Sequence, residues 1–131
     1  MTRRQISTGT PWEAIAGYCR AVRVGSLIYV SGTTATDTAG QIHHVDDAYG
    51  QMVYSLKKIE AALEQLDSSL RDVVRTRVYV TDIDDIEQVT KAHCEFFEEI
   101  RPANTLVEVS RLAAPEMLVE VEVDAVVQEQ N

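Results

Sequence analysis

The most regular pattern of apolar and polar residues in the chain lies near its C-terminus, in residues 119–124. Valines and acidic residues alternate there without a break, in the order VEVEVD. Because a β-strand turns successive side chains to opposite faces, this segment predicts a strand with one buried valine face and one acidic face. The wider segment 101–125 predicts two strands, joined by a loop that contains Pro115.

Strand patterns also occur in the first third of the chain and near its middle. Residues 3–7 form a short candidate strand, and residues 21–24 and 27–30 are apolar runs on either side of Gly25 and Ser26. A Gly-x pair between two such runs predicts a tight hairpin of type II′. Residues 73–80 alternate again. Their pattern predicts one face with Val74, Thr76, Val78 and Val80 and another with Arg75, Arg77 and Tyr79.

An amphipathic helix is predicted between these strands. Asp46 or Asp47 offers an N-cap, because a carboxylate can accept hydrogen bonds from the free N–H groups of the first turn. Apolar residues then recur every three or four positions, which is the apolar stripe of a helix. The helix is expected to end near residues 67–69. The stripe consists of Met52, Leu56, Ile59, Leu63 and Leu66.

A second helix is predicted after Asp84, which forms a possible capping box with Glu87 three residues later. Pro102 closes it, because proline disfavours helical geometry at the residue before it. Segments 8–17 and 33–46 hold turn-forming residues without a sustained period, and we interpret both as surface loops. The stripe of the second helix contains Ile86, Val89, His93, Phe96, Phe97 and Ile100.

The element order is therefore β-β-β-α-β-α-β-β, which predicts an α+β domain of two layers spanning residues 1–131. A strand–helix–strand step implies a right-handed crossover, so both helices are expected on one face of a single mixed sheet. The other face is either solvated or in contact with partner subunits. Its predicted residues are Arg75, Arg77, Tyr79, Glu108, Glu120 and Glu122.

Composition excludes several classes of function. The net charge of −9 argues against a nucleic-acid partner, since such binding needs clustered Lys and Arg. No run of 18 apolar residues and no signal peptide is present, which predicts a cytoplasmic protein without membrane contact. Cys19 and Cys94 are predicted to be reduced thiols, and the histidines lack zinc-ligand spacing. No metal and no cofactor is therefore expected, and no GxGxxG or P-loop motif occurs.

Three segments resemble the RidA/YjgF family of imine and enamine deaminases. They are GYCRAVRVGSLIYVSG at 17–32, SSLRDVVRTRVYVTDIDDIEQV at 68–89, and the C-terminal pair RPANTLVEVSRL and LVEVEVDAVV. The resemblance implies a chorismate-mutase-like fold and a homotrimer with its sites between subunits. It also implies hydrolysis of a small reactive imine to a carbonyl compound and ammonia. The uncovered sheet face would then be buried between subunits.

The resemblance also assigns candidate site residues. Glu120 matches the acid that holds or activates the hydrolytic water, and Tyr18 matches a tyrosine near the cleft. Ser31 matches a serine at a strand end, and Leu106 stands where many members have cysteine. Asn104 occupies the position of the arginine that clamps the substrate carboxylate. Because an asparagine has no charge, the resemblance implies an altered substrate.

Arg20 is a candidate replacement for the missing cation. It lies two residues after Tyr18 in an extended segment, so both side chains are expected to point the same way. An ordinary solvated arginine is the alternative, and a plain surface position is the alternative to a lid role for His43 and His44. Glu120 and its neighbour Glu122 could likewise be charge partners of the two arginines on the strand 73–80.

The residues and the resemblance together suggest four functions, which they support to different degrees. The first is an imine or enamine hydrolase that uses Glu120, Tyr18 and Ser31. The second is a trimer of the same family that binds a small metabolite without turnover, which the missing cation at Asn104 favours. A ribonuclease is disfavoured by the charge of −9, and a chorismate-mutase-type rearrangement rests on fold alone.

Overall fold

The computed structural model describes residues 2–128 as one six-stranded sheet with helices packed against it. In chain order the elements are β1 (Arg3–Ile6), α1 (Pro11–Ala16), β2 (Ala21–Val24), β3 (Leu27–Thr33), α2 (Ala48–Gln65), β4 (Val73–Val80), α3 (Ile86–Phe97), β5 (Ala103–Glu108) and β6 (Val119–Val126). Short 3₁₀ turns at Leu70–Asp72 and Ile83–Asp85 precede β4 and α3.

The sheet is mixed, as predicted, and its strand order is β1-β2-β3-β6-β4-β5. Only the edge pair β4–β5 is parallel, and the helix α3 connects those two strands. The C-terminal strand β6 lies in the centre, antiparallel to β3 and to β4. The alternating segment that was most regular in the sequence is therefore the strand on which the sheet is centred.

The helices α2 and α3 cover one face of the sheet, which confirms the predicted two-layer arrangement. Three valines of β6 and the predicted stripe of α2 are fully buried, in one cluster with Val89, Ala92 and Phe97 of α3. Fully burying such a side chain stabilises the fold by about 1.5–3 kcal/mol. The buried residues from β6 and the α2 stripe are Val119, Val121, Val123, Met52, Leu56, Ile59, Leu63 and Leu66.

Caps fix both ends of α2. The Asp47 side chain accepts a hydrogen bond from the Gly50 N–H, so Asp47 is the N-cap. At the other end Asp67 has a left-handed φ of 59°, and Ser68 N–H bonds back to Leu63 O. This six-to-one bond is the Schellman ending of a helix. The predicted boundaries of this helix are confirmed.

The hairpin between β2 and β3 also matches its prediction. Val24 pairs with Leu27 across the turn, and Gly25 has a φ of 62° whereas Ser26 has no positive φ. Positive φ at the first central position alone is the type II′ pattern.

Segment 8–17 was wrongly predicted to be a loop. Pro11 begins the short helix α1, and Gly17 ends it with a left-handed φ of 79°. Proline suits the first helical position because its missing N–H has no partner there in any helix. The helix was missed because it is too short to show a hydrophobic period.

Three local predictions were also wrong. The loop 33–46 is not all surface, because Thr33, Thr34, Ala35 and Thr36 are buried. Val74 was predicted on the core face but is exposed, because the pairing of β4 with β6 shifts register between Val73 and Arg75. The α3 capping box is absent, since Asp82 rather than Asp84 accepts the local N–H bond.

The sheet face opposite the helices carries paired polar groups. Tyr79 donates a hydrogen bond to Glu122, which raises the pKa of the tyrosine. Arg77 forms an ion pair with Asp124 at 3.3 Å. Among the residues that the structure describes, no ion pair joins Arg75 or Arg77 to Glu120 or Glu122. Cross-strand charges thus neutralise part of this face. Within residues 2–128, no helix is long and apolar enough to cross a membrane.

Candidate active site

A small cavity of about 130 Å³ opens beside the centre of the sheet. It lies between the N-terminal segment, the end of β3, the helix α2 and the loop that leads into β6. Trp12, Tyr18, Arg20, Lys58 and Glu120 are among the side chains that line it. The structure therefore brings together three of the predicted site residues, Tyr18, Arg20 and Glu120, within one chain.

Arg20 is buried, with 4% of its surface exposed, so the expectation of a solvated arginine was wrong. Its Nη1 donates to Gly32 O at 2.7 Å and to Thr33 Oγ1 at 2.9 Å. Its Nη2 lies 3.8 Å from Glu13 Oε2. An arginine held on three sides has one orientation, which gives the cavity a fixed positive charge.

Glu13 of α1 is the counter-charge that makes the burial of Arg20 possible. Burial would raise the pKa of its carboxyl, but hydroxyl donors from Thr10, Thr8 and Ser7, with the Thr8 N–H, lower it to about 2. A carboxylate that accepts several hydrogen bonds stays ionised even when it is buried. The short helix and the residues before it are therefore organised around one buried ion pair.

Glu120 lies on the polar side of β6, and its carboxylate sits over Gly32 of β3. A Cβ at Gly32 would overlap Glu120 Oε2, so any larger residue there would force the carboxylate to move from this position. Burial raises the pKa of Glu120, Arg20 lowers it, and Glu122 raises it, with a net upward shift. A carboxylate with a raised pKa is a stronger base than an ordinary one, which suits it to accept a proton.

Lys58 of α2 supplies a second cation to the cavity. Its Nζ donates to Thr36 O at 2.7 Å and to Thr34 O at 3.2 Å. Desolvation by burial and the nearby charge of Arg20 lower the pKa of Lys58 to about 8. The ammonium is therefore partly buried and still largely charged at neutral pH.

The loop that leads into β6 is held by Gln51, a fully buried residue of α2. Its Nε2 donates to Glu116 O at 2.8 Å, and its Oε1 accepts from Leu118 N at 2.8 Å. Because Leu118 is only two residues before Glu120, these bonds fix the backbone position from which the Glu120 side chain extends. Gln51 is a positioning residue that the sequence did not reveal.

Tyr18 and Ser31 frame the cavity in different ways. The Tyr18 ring lies 5.8 Å from the guanidinium carbon of Arg20, within the range of a cation–π contact. Ser31 Oγ donates to Cys19 O at 2.7 Å, which ties the end of β3 to the segment after α1. Ser31 does not line the cavity within one chain.

Asn104 and Leu106 lie on the edge strand β5 and do not line this cavity. Asn104 Nδ2 donates to Thr76 Oγ1, which is also 2.9 Å from His93 Nε2. Burial lowers the pKa of His93 and so favours its neutral ring. Leu106 packs against the core. A ligand role for either residue stays a prediction that requires a neighbouring subunit.

The two loop histidines lie outside the cavity. His43 Nε2 is 2.8 Å from Asp37 Oδ2, and its ring stacks on Tyr54 at 4.8 Å. His44 has a positive φ of 56° and lies 3.6 Å from Asp47. These contacts anchor the loop to the start of α2. No group of three or more His, Cys, Asp and Glu side chains in residues 2–128 could hold a metal ion.

A weak signal for Lys58 was present in the sequence. Gln51, Ser55, Lys58 and Ala62 recur every three or four positions, parallel to the apolar stripe, and the other three are fully or almost fully buried. Polar residues on a second stripe of a core helix indicate a polar buried surface. Glu13 offered no comparable signal, because its helix is short.

The chain is similar to known proteins over most of its length. Residues 8–127 match the family described as Endoribonuclease L-PSP. A solved member of the YjgF/YER057c/UK114 family from Mycobacterium tuberculosis has a TM-score of 0.88 and 44% identity, covering 96% of this chain and 100% of that one. The YjgF gene product of E. coli has a TM-score of 0.82 and 31% identity, covering 95% and 99%. The 3-aminoacrylate deaminase RutC of Acinetobacter baylyi is 33% identical over 113 residues, covering 86% of this chain and 88% of its own length.

Proposed function

The chain belongs to the RidA/YjgF family and has its chorismate-mutase-like fold, and from that premise we propose that it hydrolyses a small reactive imine or enamine. The products are a carbonyl compound and ammonia. One observation carries the proposal: Glu120, with its raised pKa, lies in a cavity beside Tyr18 and Arg20. The RutC relative is named as a deaminase of 3-aminoacrylate, which supports the same reaction class.

The chemistry needs one group that can move protons in both directions. Ionised Glu120 accepts a proton from water as the water oxygen bonds to the imine carbon, and the protonated carboxyl gives that proton to the imine nitrogen, which yields a carbinolamine. Glu120 then takes the proton of the carbinolamine hydroxyl and gives it to the amino nitrogen, so ammonia leaves as the C–N bond breaks and the carbonyl forms. A single carboxyl can serve both steps because it accepts each proton and then returns it. Tyr18 is the second proposed catalytic residue, with the role of donating a hydrogen bond to the substrate.

The homotrimer remains part of the proposal. Asn104 and Leu106 lie on the edge strand β5, and Val107 of that strand is exposed beside them. In a trimer, this edge would complete the cleft of a neighbouring subunit, with Asn104, Leu106 and Ser31 as proposed substrate contacts. Sedimentation of the purified protein would test the assembly, and a monomer at assay concentration would contradict it.

A non-catalytic trimer that binds a small metabolite is the second candidate. It is favoured by Asn104, which offers no charge to a substrate and bonds to Thr76 instead. Steady turnover of any imine would exclude it.

The test generates imines in situ with an amino-acid oxidase and follows their hydrolysis with and without the protein. The panel includes imines from neutral, acidic and basic amino acids. We expect acceleration with at least one precursor and its loss in Glu120→Ala. No acceleration across the panel would contradict the proposal and favour the binding protein.

A further inference from the structure

The cavity gathers positive charge in a strongly acidic chain. The sequence has 21 Asp and Glu residues against 12 Lys and Arg, yet the cavity is lined by two cations, Arg20 and Lys58, and one carboxylate, Glu120. Glu13 is the counter-charge of Arg20, so the unbalanced positive charge of the cavity comes from Lys58, which forms no ion pair within residues 2–128. Such a charge favours an anionic ligand over a neutral or cationic one.

Lys58 has an unused donor. An ammonium group carries three N–H donors, and the Lys58 ammonium gives two of them to the carbonyls of Thr34 and Thr36. No third acceptor for this group lies within residues 2–128. The two carbonyls fix the Lys58 nitrogen at the cavity wall, and its remaining N–H can donate a hydrogen bond to a ligand atom.

Arg20 also keeps a donor without a partner. Its Nη1 and Nη2 face Gly32, Thr33 and Glu13, but its buried Nε has no hydrogen-bond partner within the part of the chain that the structure describes. Buried polar groups are ordinarily paired, and an unpaired one destabilises the fold. Because this nitrogen has almost no exposed surface, a ligand in the cavity reaches it only if the neighbouring side chains move.

We propose that Lys58 and Arg20 form a binding site for the carboxylate of a small ligand. The assignment of that ligand as the imine or enamine of a small oxo acid rests on the proposed function, whereas carboxylate binding does not. The cavity of about 130 Å³ is roughly ten times the minimum space for one water molecule, enough for a molecule of a few heavy atoms. The two cations would replace the charge that Asn104 lacks.

The direct test measures binding rather than turnover. Pyruvate carries a carboxylate and no imine, and pyruvamide is a neutral molecule of nearly the same shape. Isothermal titration of both against the wild-type protein isolates the contribution of the carboxylate. We expect pyruvate to bind at least about tenfold more tightly than pyruvamide, because a charge-assisted hydrogen bond is stronger than a neutral one.

Lys58→Met removes the ammonium and keeps most of the side-chain volume. We expect it to weaken pyruvate binding by about tenfold or more and to leave pyruvamide binding unchanged. Lys57→Met is the matched control, because Lys57 is the preceding residue of the same helix and is exposed. It should bind both probes like the wild type. Lys58→Gln provides a second variant in case the methionine disturbs folding.

Two results would overturn the proposal. One is equal affinity of the wild type for pyruvate and pyruvamide, including no measurable binding of either. The other is unchanged pyruvate affinity in folded Lys58→Met and Lys58→Gln. Failure of the proposed hydrolase has a different signature, since imine turnover would then be absent while the preference for pyruvate, and its dependence on Lys58, persist.

Discussion

Glu13→Gln tests whether the buried ion pair organises the N-terminal wall of the cavity. Glu13 is 3% exposed and accepts hydrogen bonds from three hydroxyls and one backbone N–H. A carboxyl whose pKa falls from 4.5 to about 2 on folding contributes about 3 kcal/mol at neutral pH, at about 1.4 kcal/mol per pKa unit. Glutamine keeps the shape but weakens the hydrogen bonds from Ser7, Thr8 and Thr10 that lower this pKa, and it also removes the charge opposite Arg20. We therefore expect a loss of about 2–3 kcal/mol.

The assay is urea unfolding of the wild type and Glu13→Gln at equal protein concentration across a range of pH. Because the folded-state pKa is depressed, the extra stability is fully present above pH 4.5 and is lost as the pH falls through about 2. The difference between the two proteins should therefore be largest at neutral pH and shrink steadily in acid. Comparing the two proteins cancels the titration of the other carboxyls.

The control variant is Glu99→Gln, at an exposed glutamate after α3. It should change the free energy of unfolding by less than about 0.5 kcal/mol at any pH. If Glu13→Gln were as stable as Glu99→Gln at neutral pH, the ion pair would not support the wall. A stability loss that did not vary with pH would also refute the reasoning, since it would indicate a packing defect rather than a lost charge.

Three further predictions follow from the site. Gly32→Ala should lower kcat by at least about tenfold without unfolding the protein, because the new Cβ would overlap Glu120 Oε2 and displace the carboxylate. Wild-type kcat in this variant would contradict the placement of the carboxylate. Gln51→Met should lower the free energy of unfolding, measured in urea, by about 1–3 kcal/mol, since it leaves the Leu118 N–H unpaired. Unchanged stability would show that the loop does not need this anchor. The value of kcat/KM should fall as the pH decreases, because protonated Glu120 cannot accept a proton from water. The apparent pKa of this fall should lie above the ordinary glutamate value of 4.5, and an apparent pKa at or below 4.5 would contradict a buried base.

The regular elements of the fold were predictable because their patterns extend over many residues. The alternation in β6 and the stripe of α2 each repeat often enough to identify both the element and its buried face. The order of strands and helices then limited the topology to a sheet with helices on one face. The register shift that exposes Val74 was not predictable, since it arises from the pairing with β6.

The candidate site was predictable only in part. The resemblance of residues 17–32 and of the C-terminal strands identified Tyr18 and Glu120, and spacing alone suggested that Arg20 points the same way as Tyr18. Its burial could not be foreseen, because that burial depends on Glu13, which reaches Arg20 from a separate short helix. Lys58 was missed for a similar reason, as its acceptors belong to a distant loop.

The central claim is that Glu120 carries the hydrolysis, and comparison of two neighbouring acids tests it most directly. Glu120 and Glu122 lie on the same face of β6, but only Glu120 lines the cavity, whereas Glu122 bonds to Tyr79. Imine hydrolysis would be measured for the wild type, Glu120→Gln and Glu122→Gln under the same conditions. We predict that Glu120→Gln abolishes the acceleration and that Glu122→Gln retains most of it. Equal activity of Glu120→Gln and the wild type would contradict the account.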